Sequence, residues 1–210
     1  MYMAKVSNRR QEIAEKALEL FSVNGYEATS LSMIADAVGI RKASIFNHYS
    51  NKQAILDDLI SMILRNLDEH SVFSKADWDN EEFTSRFRGM NAESASEMVI
   101  RQVELITTDE SISRARKMLV LEQFRDKDLA ALLTKQNHTD VLNFFTGMMS
   151  FLIKDGVLSG DDPEMMASMF AFPVSCWISL IDREPEKREE VHEFIRRHVK
   201  EFFRIYKKEK

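Results

Sequence analysis

The sequence predicts an all-α chain in which a small N-terminal three-helix unit of helix-turn-helix type precedes a larger helical body. Three observations predict it. Only 6 Gly and 3 Pro occur in 210 residues, too little turn punctuation for a protein built of many strands. Good helix formers, Ala, Leu, Glu, Lys, Met and Arg, are abundant. Apolar residues recur at spacings of three and four in segment after segment. The length suits one large domain or two modest ones. Hydrophobic residues at 44% and charged residues at 30% exclude both an intrinsically disordered chain and a membrane bundle. The one cysteine, Cys176, excludes an internal disulfide and a Cys-rich zinc site, and points to a reducing compartment. Met1 to Val6 hold no apolar run of signal-peptide length, so the expectation is a cytoplasmic protein.

The first helix is predicted over residues 7–24, with Ile13, Ala14, Ala17, Leu18 and Phe21 on its inner face and Asn24-Gly25 as its stop. Thr29 and Ser30 offer side-chain oxygens to cap a second helix over 31–38, which Gly39 breaks. A third follows over 41–49. Ser50-Asn51-Lys52-Gln53 has the capping-box pattern that starts a fourth, running to about His70.

Two short helices joined through a glycine and braced by a first one make a helix-turn-helix. At 100° per residue, Ile45 and Tyr49 fall on one side of the third helix with Phe46 nearby, while Arg41, Ser44, Asn47 and His48 share the other. One side packs. The other carries donors and acceptors suited to base edges and phosphates, on a helix of the width that enters the major groove. Periodicity alone fits the solvated face of a small bundle equally well. Residues 1–52 carry seven bases against five acids, a net +2 that leaves −7 for the remainder. A mildly basic end on an acidic body suits a protein that presents only that end to a polyanion.

The segments Gly25-Tyr26-Glu27-Ala28-Thr29-Ser30-Leu31, Ile34-Ala35-Asp36-Ala37-Val38-Gly39-Ile40 and Lys42-Ala43-Ser44-Ile45-Phe46-Asn47-His48-Tyr49, with Lys52, resemble the DNA-binding domain of the TetR family of transcriptional regulators. The resemblance covers about residues 7–56 without gaps. It implies a ligand-responsive regulator, by family norm a repressor, with DNA-binding residues in 1–52 and a ligand-binding and dimerisation domain over 53–210. It implies that Thr29, Ser30, Tyr49 and Lys52 hold phosphates, that His48 contacts backbone or base, and that Arg41, Ser44 and Asn47 read bases with Lys42 beside them. Arg41, Ala43 and His48 depart from the residues common at their places. Arg41 is a poor N-cap and leaves the start of the third helix open.

Beyond a loop over 71–82, with Trp78 partly packed, helices are predicted over 81–90, 94–107, 111–124, 128–154, 162–182 and 186–208. Asp162-Pro163 is a strong start signal. The run from Met165 to Ile181 is uncharged but interrupted by Pro173 and three serines, and reads as a buried helix that falls short of a membrane span. Val191, Ile195, His198 and Phe202 align in one seam of the last helix. The resemblance implies that the last two helices form a homodimer interface, with Met166, Phe170 and Trp177 joining the seam; a purely intramolecular core is the alternative. His138, Asn143, Phe144, Met148, Phe151, Met169 and Phe170 are the candidates for lining an effector pocket; ordinary core is the alternative for the methionines and phenylalanines, and a surface position for His138 and Asn143. The expected effector is an apolar small molecule, neutral or cationic.

Enzyme readings lack support in the motifs. Only Glu189 and His192 have the Glu-x-x-His spacing of a di-iron site, which needs two such pairs. No phosphate loop, nucleophile elbow or His-Glu-x-x-His is present, so no metal or cofactor is expected. The rival class is a helical ligand-binding or adaptor protein without a DNA function.

Overall fold

The computed structural model describes residues 9–70, 73 and 75–208, with backbone alone for 64–70. Eleven α-helices are seen among them: α1 (Arg9–Asn24), α2 (Leu31–Val38), α3 (Lys42–Ile45), α4 (Lys52–His70), α5 (Glu81–Ser85), α6 (Ala92–Thr108), α7 (Glu110–Glu122), α8 (Lys127–Thr134), α9 (Val141–Lys154), α10 (Pro163–Arg183) and α11 (Arg188–Tyr206). The predicted start of the first helix at Ser7 lies outside the described residues.

The chain divides into two compact units. One holds the residues up to His70 together with 113–131. Its core is built from the inner stripes read from sequence: Ile13, Ala17 and Phe21 of α1, Ile34 of α2, Ile45 of α3, and Ile55 and Leu59 of α4 are buried. The predicted division at 52/53 coincides with the first residue of α4. Packing extends further, because the inner stripe of α4 needs α1 as its cover and Glu122 of the 113–131 segment bonds to the turn after α1.

Three local predictions need correction in this unit. Helix α3 is one turn, Lys42–Ile45, and residues 46–48 continue as tight turns, with Asn47 N donating to Ser44 O and His48 N to Ile45 O. Phe46 is 52% exposed instead of packed. Asn51, not Ser50, caps α4, its Oδ1 accepting from Ala54 N at 2.8 Å.

The second unit takes residues 71–112 and 132–210. Its core interleaves Val99 and Val103 of α6, Phe144, Phe145, Met148, Met149 and Leu152 of α9, Met166 and Phe170 of α10, and Val191, Ile195, Val199 and Phe202 of α11. The α9–α10 loop is tied to the end of α11 by Ser159 N donating to Tyr206 O at 2.7 Å.

The helix predicted over 128–154 is not uniform. A π-helical segment, Lys135–Asp140, separates α8 from α9. An extra residue per turn rotates everything after it, so faces extrapolated from α8 do not carry into α9. Helix α10 is also less covered than predicted: only 28% of its most apolar stretch is buried within the chain. It packs one side on α9 and α11 and leaves the other open.

Candidate nucleic-acid interface

Local signals set α2. Ser30 is extended and its hydroxyl accepts from Met33 N at 3.2 Å, satisfying one of the free amides of the first turn. Gly39 ends the helix at φ +73°, a left-handed conformation that glycine adopts without strain, and Ile40 N closes back on Ala35 O at 2.9 Å. Arg41 is extended with no side-chain cap, as its chemistry predicts, and it aims the chain into α3.

The predicted site residues separate into two groups. Ser30, Arg41, Lys42 and Asn47 are exposed, and Ser44 and His48 half-exposed, above a floor of buried Ile45 and Tyr49. Ser30 uses its oxygen as an acceptor for Met33 N, and a hydroxyl also carries an O–H donor. Exposed Phe46 stands among these polar groups; nothing in its periodicity marked it as surface.

Thr29 and Tyr49 are buried and Lys52 is half-buried, each with its polar atoms engaged within the chain. Thr29 is fully buried and its hydroxyl donates to Gly25 O at 2.9 Å. Tyr49 is 3% exposed, with its hydroxyl donating to Asp58 Oδ2 at 2.7 Å and the Arg10 guanidinium 4.6 Å from its ring centre. Burial first, and then the Asp58 carboxylate, push its ionisation above the ordinary tyrosine range, so it stays a neutral donor. Lys52 donates to the carbonyls of Tyr26 at 2.7 Å, Thr29 at 2.9 Å and Glu27 at 3.3 Å, and lies 4.1 Å from the Tyr26 ring centre. An ammonium has three N–H donors, and all three are engaged. These residues hold the α1–α2 turn and the seat of α3, which the outward group needs in order to stay in register.

Sequence reasoning missed Glu122. This buried carboxylate accepts from Tyr26 N at 3.0 Å, on the same turn that Lys52 holds from the other end. No local pattern could signal a partner 96 residues away.

Residues 13–59, the stretch that builds this surface, match the family of bacterial regulatory proteins, tetR family. The HTH-type transcriptional repressor KstR2 of Rhodococcus jostii (strain RHA1) is 24% identical over 168 residues, covering 78% of this chain and 74% of that one. The chain is similar to TetR-family transcriptional regulators. A solved TetR-family regulator from Mesorhizobium loti superposes with a TM-score of 0.63 at 16% identity, covering 98% of this chain and all of the other. The SmeT–triclosan complex gives 0.63 at 17% identity, over 96% of this chain and 92% of that one. At such identities the superpositions speak for a shared TetR fold. The regulators it resembles bind DNA and are not enzymes.

The body does not gather the seven predicted pocket residues. Met148 and Phe170 are fully buried in the core and Phe151 packs against it. Met169 is 46% exposed on α10. His138 is exposed in the π segment and stacks on Phe172, ring centres 5.0 Å apart. Only Asn143 and Phe144 share a cavity, of about 240 Å³, with Phe73, Ala76, Trp78 and Asp140. Most of the predicted dimer seam lies inside the chain. Met166, Phe170, Val191, Ile195 and Phe202 are at most 4% exposed, because α6 and α9 of the same chain cover them; Trp177 and His198 remain half-exposed.

Proposed function

We propose that the protein is a repressor that binds a palindromic operator as a homodimer and releases it when a small molecule occupies the second unit. The observation that carries this reading is the polar surface of Arg41, Lys42, Ser44, Asn47 and His48 held over buried Ile45 and Tyr49. In this reading Arg41, Ser44 and Asn47 reach base edges, and Lys42, His48 and Ser30 hold the backbone. Such work places the protein beside the chromosome, in the cytoplasm.

The homodimer reading is supported by the open side of α10 and α11. Met165, Met169, Phe194 and Ile205 are 37–56% exposed. Ser168, Met169, Phe172, Pro173, Cys176 and Trp177 line an apolar trough on the same surface. Contiguous apolar surface of this kind marks an interface, and two copies related by a two-fold axis bury it with one self-complementary patch. Control by a ligand is supported by SmeT, whose complex holds triclosan.

Selection from random DNA followed by a salt-dependent gel shift tests the reading. The expected outcome is a palindrome with half-sites roughly 34–36 Å apart and an affinity that falls with salt. For Asn47→Ala, a loss of about 1–3 kcal/mol at one base position is expected. Absence of any selected sequence, with salt-insensitive binding, favours the adaptor class instead.

A further inference from the structure

The cavity of about 240 Å³ in the second unit combines two kinds of wall. One is aromatic: Phe73 meets Phe144 edge-on with ring centres 5.1 Å apart, and Trp78 meets Phe144 edge-on at 5.4 Å. The other is polar, with the Asn143 carboxamide and the Asp140 carboxylate. The Asp140 side chain is only 13% exposed, and its counter-ion comes from outside: Lys135 Nζ lies 2.8 Å from Oδ2 and 3.1 Å from Oδ1 while its own side chain is 61% exposed. The π-helical segment produces this pairing, because five-residue spacing stacks Lys135 and Asp140 on adjacent turns.

We propose that this cavity is the receptor for a small organic cation, whose ammonium replaces Lys135 on the Asp140 carboxylate while its apolar body packs against Phe73, Trp78 and Phe144. The inference rests on the ligand-responsive reading above and names the class of ligand. An ionised carboxylate only accepts hydrogen bonds, and aromatic rings attract a cation through their quadrupole, so both walls select the same charge. A neutral ligand leaves the Asp140–Lys135 pair unchanged and gains only apolar contact. An anionic ligand meets the carboxylate in a body whose residues 53–210 carry a net −7. Displacing Lys135 costs little, since an ion pair with an exposed lysine is weak. The volume lies below the ~300–1,000 Å³ of drug-sized sites, so the cation is a small one.

The test compares three probes of one shape and different charge, 2-phenylethylammonium, 2-phenylethanol and phenylacetate, titrated into the full chain by calorimetry and tryptophan fluorescence at constant salt. The expected result is that the ammonium binds at least about tenfold tighter than the alcohol, with phenylacetate weaker still. Asp140→Asn abolishes that preference. Lys135→Gln, at an exposed position that keeps the fold, raises the ammonium's affinity several-fold because the resident competitor is gone. Equal binding of alcohol and ammonium, no binding of the ammonium at millimolar concentration, or an affinity indifferent to Lys135→Gln would overturn the proposal. Operator affinity is measured on the same samples without probe. Its loss counts against the repressor reading alone, whereas failed titrations with intact operator binding count against the cation receptor alone.

Discussion

The carboxylate of Glu122 accepts a hydrogen bond from the backbone N–H of Tyr26 at 3.0 Å, so the end of α7 fastens the turn that leads into α2. Glu122 is 4% exposed and Arg125 stands 3.4 Å away as its counter-ion. Removing the acceptor strands a part-buried N–H, which costs up to about 1–3 kcal/mol. Glu122→Ala is therefore expected to lose that much in denaturant unfolding, together with operator affinity. Glu122→Gln, which keeps an acceptor oxygen, is expected to lose less. Equal stability of the alanine variant and the native chain would show that the bond contributes nothing.

Lys52 fastens the other end of that turn, and its role is separable from a phosphate clamp. Lys52→Met is expected to cost about 1–3 kcal/mol of stability through lost charged hydrogen bonds to the carbonyls of residues 26, 27 and 29. The slope of log affinity against log salt is expected to stay as it was. A phosphate contact would instead remove about one unit of slope. A flattened slope with unchanged stability would restore the clamp.

What was legible in the sequence follows how local each determinant is. Helix α2 lies where predicted because its start at Ser30 and stop at Gly39 are decided by the residues themselves. Thr29, next to that cap, turns inward to a carbonyl across the turn, and residue type does not say which way a hydroxyl faces. The seam of Val191, Ile195 and Phe202 is correctly apolar. Periodicity reports that a stripe is buried and is silent on whether the cover is the same chain or a second copy. The π segment at Lys135–Asp140 has no composition cue at all, so the grouping of Asp140 and Asn143 with Trp78 and Phe73 was out of reach.

Gly147 sits in the middle of α9, where glycine costs about 1 kcal/mol relative to alanine. The structure supplies the reason for it: a Cβ there would overlap the indole of Trp78. Gly147→Ala is expected to destabilise the second unit by about 1–3 kcal/mol, the usual range for overpacking and in excess of the helix-propensity gain. Displacement of Trp78 should also red-shift tryptophan emission and weaken any ligand held in the cavity it lines. A more stable variant with unchanged emission would mean that the indole has room to move.

Assembly supplies the sharpest contrast between sequence and structure. The seam alone nominates Phe202 as the interface residue, yet Phe202 is 4% exposed and lies among Phe170, Phe203 and Tyr206. A charge there would be buried and unpaired inside one chain. Phe202→Glu is therefore expected to unfold the second unit, whether or not a partner exists. Met169, 46% exposed on the open side of α10, and Phe194, 37% exposed and stacked on Trp177, are the residues a mate would cover. Met169→Glu leaves the fold intact, since its side chain already reaches solvent, but places a carboxylate in the shared patch, where two-fold symmetry counts it twice. Sedimentation of the native chain at micromolar concentration is expected to give about twice the 24.4 kDa chain mass, and Met169→Glu to move it toward the single mass with unchanged helical content. Operator affinity should fall with it, because one reading head holds only a half-site. A native chain that sediments as a monomer, or a Met169→Glu variant that remains dimeric, would place the interface elsewhere than on α10 and α11.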